Sequence, residues 1–321
     1  MGRARRFAHL TVFLLAAAPA ALAETADRPV TLGLMIGDSS AMTLGQMLVR
    51  DLSHEQGVRL VPMIGSGSVL SLHDLAAVPG VDAALVSSDA MAYARAHGLV
   101  REPGRYAALA RLKPLELILV ARRDLADLSS LNGQRIATGP AGSAAYASGE
   151  LVFSVNTVQF QRVPLAGQDG LRALAEGRAD AALVLGRDTD FTVLQDANRA
   201  GGGFHVLALP FAEALANTHS PVLIPASALP GLLAPGSDVE SVAAALIVAV
   251  REPARGTAAF DRLRRFARAL YASPEATAAG NNPAARVPGW KASAAAAEAR
   301  SGRYGKLPRV TAATPEQGDH P

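Results

Sequence analysis

Val30-Thr31-Leu32-Gly33-Leu34-Met35-Ile36 runs directly into Gly37-Asp38-Ser39-Ser40, and the reading of that junction decides the fold. The aliphatic run suits a buried strand; the glycine and serines end it and open a helix that continues to about residue 55. The same design follows twice more. Residues 58–63 form a second strand, Gly65-Ser66-Gly67-Ser68 a tight turn and residues 69–77 a short helix. Residues 81–86 form a third strand, after which Ser87-Ser88-Asp89 opens a helix ending near Gly98. Strands alternating with helices mark an α/β protein with largely parallel sheets. Because each strand ends in glycine or serine where a helix begins, several helix N-termini should converge at the carboxyl edge of one sheet. Unpaired N–H groups and the helix dipoles make that edge a natural anion site. Open α/β sheets bind ligands there.

Two apolar runs, residues 107–112 and 115–120, read as strands leaving this first lobe, and a helical turn is expected at 125–132. A second series then starts at residues 135–138 and passes through Gly139-Pro140-Ala141-Gly142-Ser143 into a helix. It continues with a strand at 158–163, a helix at 168–176 and a strand at 179–185. Later strands are expected at 205–209, 222–225 and 242–250, with a helix at 257–270. The chain should re-enter the first lobe near Pro225. Lobe 1 is then 24–122 plus 225–300, lobe 2 is 123–224, and two crossover strands form a hinge. Residues 301–321, polar and rich in Gly and Pro, are expected to be a disordered tail.

Residues 1–23 carry Arg3, Arg5 and Arg6, then an apolar run from Leu10, and finish at Ala21-Leu22-Ala23. This is the pattern of a cleaved secretory signal, and the run is shorter than the roughly 20 residues that span a bilayer. The expected location is periplasmic. Removing the segment lowers the 31 basic residues to 28, equal to the 28 acidic ones. A neutral mature chain has no electrostatic footprint for nucleic acid or an anionic membrane surface. Cysteine is absent, which excludes disulfides, thiolate nucleophiles and sulfur-based zinc sites. The seven histidines show no paired ligand spacing, so neither metal nor cofactor is expected.

Five segments together resemble the TAXI receptors, the solute-binding subunits of TRAP transporters. They are the Gly37 to Ser40 junction, the Gly65 to Ser68 turn, Gly80-Val81-Asp82-Ala83-Ala84-Leu85-Val86-Ser87-Ser88-Asp89, the stretch 128–143, and Leu174-Ala175-Glu176-Gly177-Arg178-Ala179-Asp180-Ala181-Ala182-Leu183. The resemblance covers roughly residues 30–185. It implies a two-lobed type II periplasmic-binding-protein fold, α/β, with mixed, mostly parallel sheets joined by a two-strand hinge. It implies a receptor that captures a small solute and delivers it to the membrane subunits of a TRAP-type transporter, and not an enzyme. Two segments depart from the family: Ala41-Met42-Thr43-Leu44 stands where aromatic residues wall the ligand, and Gly186-Arg187-Asp188-Thr189-Asp190 replaces a glycine- and proline-rich turn. Solute identity is therefore not carried over. An ABC-type partner, or a sensory or partner-binding module without uptake, remains the alternative.

The residues expected to hold the solute are Asp38, Ser39, Ser40, Gly65, Ser66, Gly67, Ser68, Ser87, Ser88, Gly142, Ser143, Ala144 and Arg187. Each has a plainer role available. Ser39 and Ser40 cap a helix as serines do anywhere. The Gly65 to Ser68 turn is either a backbone nest for a carboxylate or a flexible turn. Asp89 reads as a helix cap and Ser87 as a ligand group. A solute carboxylate is expected on the Ser143 and Ala144 amides; the P-loop lysine is missing, so nucleotide hydrolysis is not supported. Arg187 is either a bidentate clamp on an acid or the surface partner of Asp188 or Asp190. An acidic solute, an amino acid or small dicarboxylate, is the expectation, bound by a monomer. Against an enzyme stand the missing Gly-x-Ser-x-Gly elbow, cysteine and metal cluster.

Overall fold

The computed structural model describes residues 29–55, 57–278 and 282–301. The signal-like segment and all but the first residue of the expected tail lie outside them. The first three units fold as read: β1 (Val30–Ile36), α1 (Ser39–Glu55), β2 (Val58–Ile64), α2 (Ser68–Ala77), β3 (Val81–Ser87) and α3 (Ala90–Ala96). β1 pairs in parallel with β2 on one side and β3 on the other. Along α1, Ala41, Leu44, Leu48 and Leu52 are buried, the three-and-four spacing that seats one helix face on a sheet.

Residues 107–112 and 115–120 are not two strands but one, β4 (Tyr106–Arg122). Lys113-Pro114 suggested a break because proline cannot donate to a ladder. The proline falls at a register irregularity, where Ala245 faces Pro114 and Ile247 faces Arg111, so the missing N–H interrupts nothing regular.

The second series is β5 (Arg135–Ala137), α4 (Ala144–Val155), β6 (Gln161–Val163), α5 (Gly167–Ala175), β7 (Ala181–Leu185), α6 (Thr192–Arg199) and β8 (Phe204–Leu207). The turn expected at 125–132 is a short 3-10 segment, Ser129–Leu131. β9 (Ser220–Ile224) and β10 (Val239–Arg251) follow, then α7 (Ala258–Ala272), α8 (Pro274–Thr277) and α9 (Ala294–Arg300).

Strand order is β2-β1-β3-β10-β4-β7-β5-β6, with β8 on β4 and β9 on β10. The two long strands bind the halves together. β4 pairs with β10 from Tyr106 to Glu116, and from Leu117 onward with β7 and β8. β10 pairs with β9 over Val239–Ala243 and with β3 over Leu246–Val250. Both wings are parallel, and every antiparallel pair involves one of these two strands. This is an α/β chain of two lobes with a two-strand crossing, the fold the sequence implied. α7 closes the first lobe with Phe260, Leu263, Phe266 and Leu270 buried. Full burial of each contributes about 1.5–3 kcal/mol.

Candidate functional site

The carboxyl ends of β1, β5, β6 and β7 open on one cleft of about 400 Å³ between the lobes. The first lobe supplies Asp38, Ser39, Ser40 and Thr43 from the start of α1; the second supplies Ala144 and Ala145 from α4 and residues 166–169 from the start of α5. Leu185, Asp188, Thr189 and Asp190, at and beyond the end of β7, complete the wall. Three helix starts therefore face one space, as the strand-glycine-serine-helix pattern implies. The charge of the lining is less expected. Asp38, Asp169, Asp188 and Asp190 contribute carboxylates, and among the described residues no Lys, Arg or His lines the cleft. Lys113, which could offset them, gives its ammonium to Asp188 at 2.5 Å.

Beneath the cleft the lobes touch along a polar seam. Asp38 Oδ1 accepts the Ala144 N–H at 2.9 Å, and Oδ2 accepts the Ser68 hydroxyl at 2.5 Å. Ser68 Oγ in turn accepts the Ser87 N–H at 2.9 Å. The Val69 N–H donates to the Gly142 carbonyl at 2.9 Å. Gly67 holds φ 128°, and a Cβ there would come 2.5 Å from the Gly142 oxygen and 2.7 Å from Ser143 Cα. Only glycine permits that approach. Burial pushes the Asp38 carboxyl above the usual carboxylate range; the Ser68 hydroxyl and the Ala144 and Ser68 N–H groups pull against this, and the nearby Asp89 charge adds to it.

Further along the seam, Asp89 is fully buried and takes the Ser148 hydroxyl at 2.5 Å, with His219 Nε2 at 3.3 Å. Burial alone would raise its carboxyl. His219 and the Ser148 and Ser87 hydroxyls outweigh that and hold it below the usual range. Serine, histidine and aspartate thus meet, but in an order that makes no nucleophile. The Ser148 proton goes to Asp89 and not to the imidazole, whereas a catalytic serine needs a base on its own hydroxyl.

The expected site residues divide accordingly. Asp38, Ser39, Ser40 and Ala144 line the cleft. Gly65, Ser66, Gly67, Ser68, Gly142 and Ser143 do not; Gly67, Ser68, Gly142 and Ser143 instead form the seam, so the expected backbone nest is filled by the opposing lobe. The Ser143 N–H donates to the Pro140 carbonyl and the Ala144 N–H to Asp38, so neither is left for a solute carboxylate. Ser143 caps α4, its hydroxyl accepting the Tyr146 N–H at 3.2 Å. Ser87 and Ser88 are buried away from the cleft, Ser88 Oγ accepting the Ala245 N–H. Asp89 stands at the start of α3 without capping it, because Ser148 and His219 hold its carboxylate. Arg187 pairs with neither Asp188 nor Asp190. Its guanidinium grips Glu116 of β4 through Nε and Nη2 at 2.9 and 2.8 Å, outside the cleft lining. Thr43, Gln168, Asp169, Asp188, Thr189 and Asp190 line the cleft unanticipated. Gln168-Asp169 at an expected helix start was the signal that could have found two of them.

Among the described residues no group of three or more His, Asp or Glu side chains is placed to hold a metal ion. No helix among them is long and apolar enough to cross a membrane.

No family model and no curated protein matches the chain. Among solved structures it is similar to a periplasmic substrate-binding protein of an ABC transporter from Coxiella burnetii, with 19% identity, 79% of this chain and 100% of that one covered, and a TM-score of 0.44. It is similar to a TctC solute-binding protein from Polaromonas, with 18% identity, 74% and 82% covered, TM-score 0.44. A third is the alkanesulfonate-binding protein of Xanthomonas axonopodis pv. citri bound to MOPS, with 18% identity, 56% of this chain covered and TM-score 0.39; this chain spans 61% of its length. At such identities and TM-scores the fold reading rests on the strand order and the two crossing strands, and the ligands of these proteins stay with them.

Proposed function

We propose that this chain is an extracytoplasmic, non-enzymatic receptor that captures a small polar solute between its lobes and presents it to the membrane subunits of a transporter. The observation that carries the reading is the cleft itself: both lobes wall it, and β4 and β10 cross from one lobe to the other beside it. Closure about two crossing strands favours a solute only through contacts to both lobes, and this cleft offers both. Periplasmic location follows from the signal-like residues 1–23, and delivery to a TRAP-type partner from the sequence resemblance, with an ABC-type partner as the alternative. Lobe 1 is read as 24–122 plus 225–300 and lobe 2 as 123–224. Between the two expected solute classes, an amino acid suits the lining better than a dicarboxylate. Its ammonium meets the lining carboxylates, and its own carboxylate can face the starts of α1 and α5.

The test is a thermal-shift screen of residues 24–321 against amino acids, dicarboxylates and other small acids. A ligand at a hundredfold its Kd adds about 2.7 kcal/mol of stability. A shift with one amino acid is expected, and its loss in Thr43→Trp, which fills the cleft from an exposed position, locates the binding. No shift with any solute, in folded protein freed of carried-over ligand by unfolding and refolding, overturns the receptor reading.

A further inference from the structure

α2, of ten residues, and α4, of twelve, start on opposite sides of the seam and direct their first groups at one carboxylate. Asp38 receives the Ala144 N–H from α4 and the Ser68 hydroxyl and N–H from α2. Two helix starts facing one point, each worth about half a positive charge, are where a bound anion belongs. Here the anion is part of the chain. No salt bridge reaches Asp38 among the described residues; the helix starts and the hydroxyl are its whole compensation. The nearby cations are turned elsewhere, Lys113 to Asp188 and Arg187 to Glu116.

We propose that Asp38 is a built-in substitute for a solute carboxylate, occupying the anion seat shared by α2 and α4 and setting the cleft's selectivity against acids that lack an amine. The assignment rests on the receptor reading for its selectivity and on the seam geometry for the seat. A tethered carboxylate competes at high effective concentration, so a free acid does not displace it. What the cleft then presents to a solute at this point is a negative charge. A second carboxylate brought against it is repelled, and an ammonium is attracted. Sequence reading sees the converging helix starts and infers an acid; the structure shows that the acid they receive is already in place.

The experiment uses residues 24–321 in three forms: wild type, Asp38→Ala and Asp38→Asn. In Asp38→Ala the thermal midpoint falls, and sodium formate, small enough for the vacated seat, restores it with saturation. Sodium chloride at the same concentration does not restore it, and wild type responds to neither salt. Formate acting on both proteins alike, or on neither, overturns the proposal. Asp38→Asn keeps the seat filled but removes the charge, so calorimetry should show glutarate binding rising relative to L-glutamate by about tenfold. An unchanged ratio overturns the proposal even if the alanine variant fails to fold, as does wild type binding glutarate as tightly as L-glutamate. Failure of the receptor reading looks different: no solute moves any of the three proteins, while formate still rescues Asp38→Ala.

Discussion

The two edges of the second lobe's sheet treat their carboxylates in opposite ways. At the amino edge, Asp180 precedes β7 and takes the Arg135 N–H, Nε and Nη2, each at 2.9 Å, with Arg122 Nη1 also at 2.9 Å. The Arg135 hydrogen bonds hold its carboxyl below the usual range, outweighing its burial. At the carboxyl edge, Asp38 reaches across to α4, collects a backbone N–H in the same way and has no guanidinium beside it among the described residues; burial pushes its carboxyl up. One charge is neutralised to hold strands together. The other is left under-compensated at a lobe junction, the environment in which ligand-handling groups are found.

Changes at the buried Asp89 and Asp180 and the half-buried Asp38 sharpen that contrast. The largest effect is expected at Asp89, where Asp89→Ala strands the buried Ser148 hydroxyl and His219. A loss of about 3–5 kcal/mol in urea unfolding is expected, and a loss below about 1 kcal/mol would detach Asp89 from the seam's stability. Next comes Asp180→Ala, which leaves two half-exposed guanidiniums and one N–H without their acceptor. It should cost about 2–3 kcal/mol while solute affinity stays unchanged; an altered affinity would erase the distinction between the edges.

The pH dependence separates Asp38 from Asp180 by sign. Asp180 has a lowered folded pKa, so its contribution is present above the unfolded value of about 3.9 and is lost as pH falls through the folded one. Asp38 has a raised folded pKa, so its contribution is present below about 3.9 and is lost as pH rises through the folded value. The stability difference between wild type and Asp180→Asn should grow with pH, and that between wild type and Asp38→Asn should shrink. Parallel slopes in denaturation series from about pH 3 to 7 would break the comparison. The smallest effect is expected from Arg187→Ala: with the guanidinium half-exposed, about 0.5–1 kcal/mol and no change in solute binding.

The first lobe was legible because strand and helix periodicities and the glycine-serine stops are local signals, all within a few residues of one another. What failed were local rules overruled by distant partners. Lys113-Pro114 reads as a break until β10 supplies a bulge for it. Asp89 reads as a cap until Ser148, 59 residues on, takes its carboxylate. The Ala144 amide reads as a solute site until Asp38, 106 residues earlier, fills it. Arg187 reads as a clamp or a surface partner until Glu116 intervenes from 71 residues away. Spacing along the chain carries none of these four pairings.

β4 and β10 also bear on how the protein comes apart. A strand that contributes hydrogen bonds to both sheets cannot be apportioned to either, so a fragment ending at residue 122 carries the outer half of β4 with its edges bare, and one starting at residue 123 lacks the strand on which β7 and β8 assemble. Exposed, unpaired edges of that kind recruit other chains. The two lobes are accordingly expected to melt as one cooperative unit, and either half expressed alone to associate through its bare edges rather than fold.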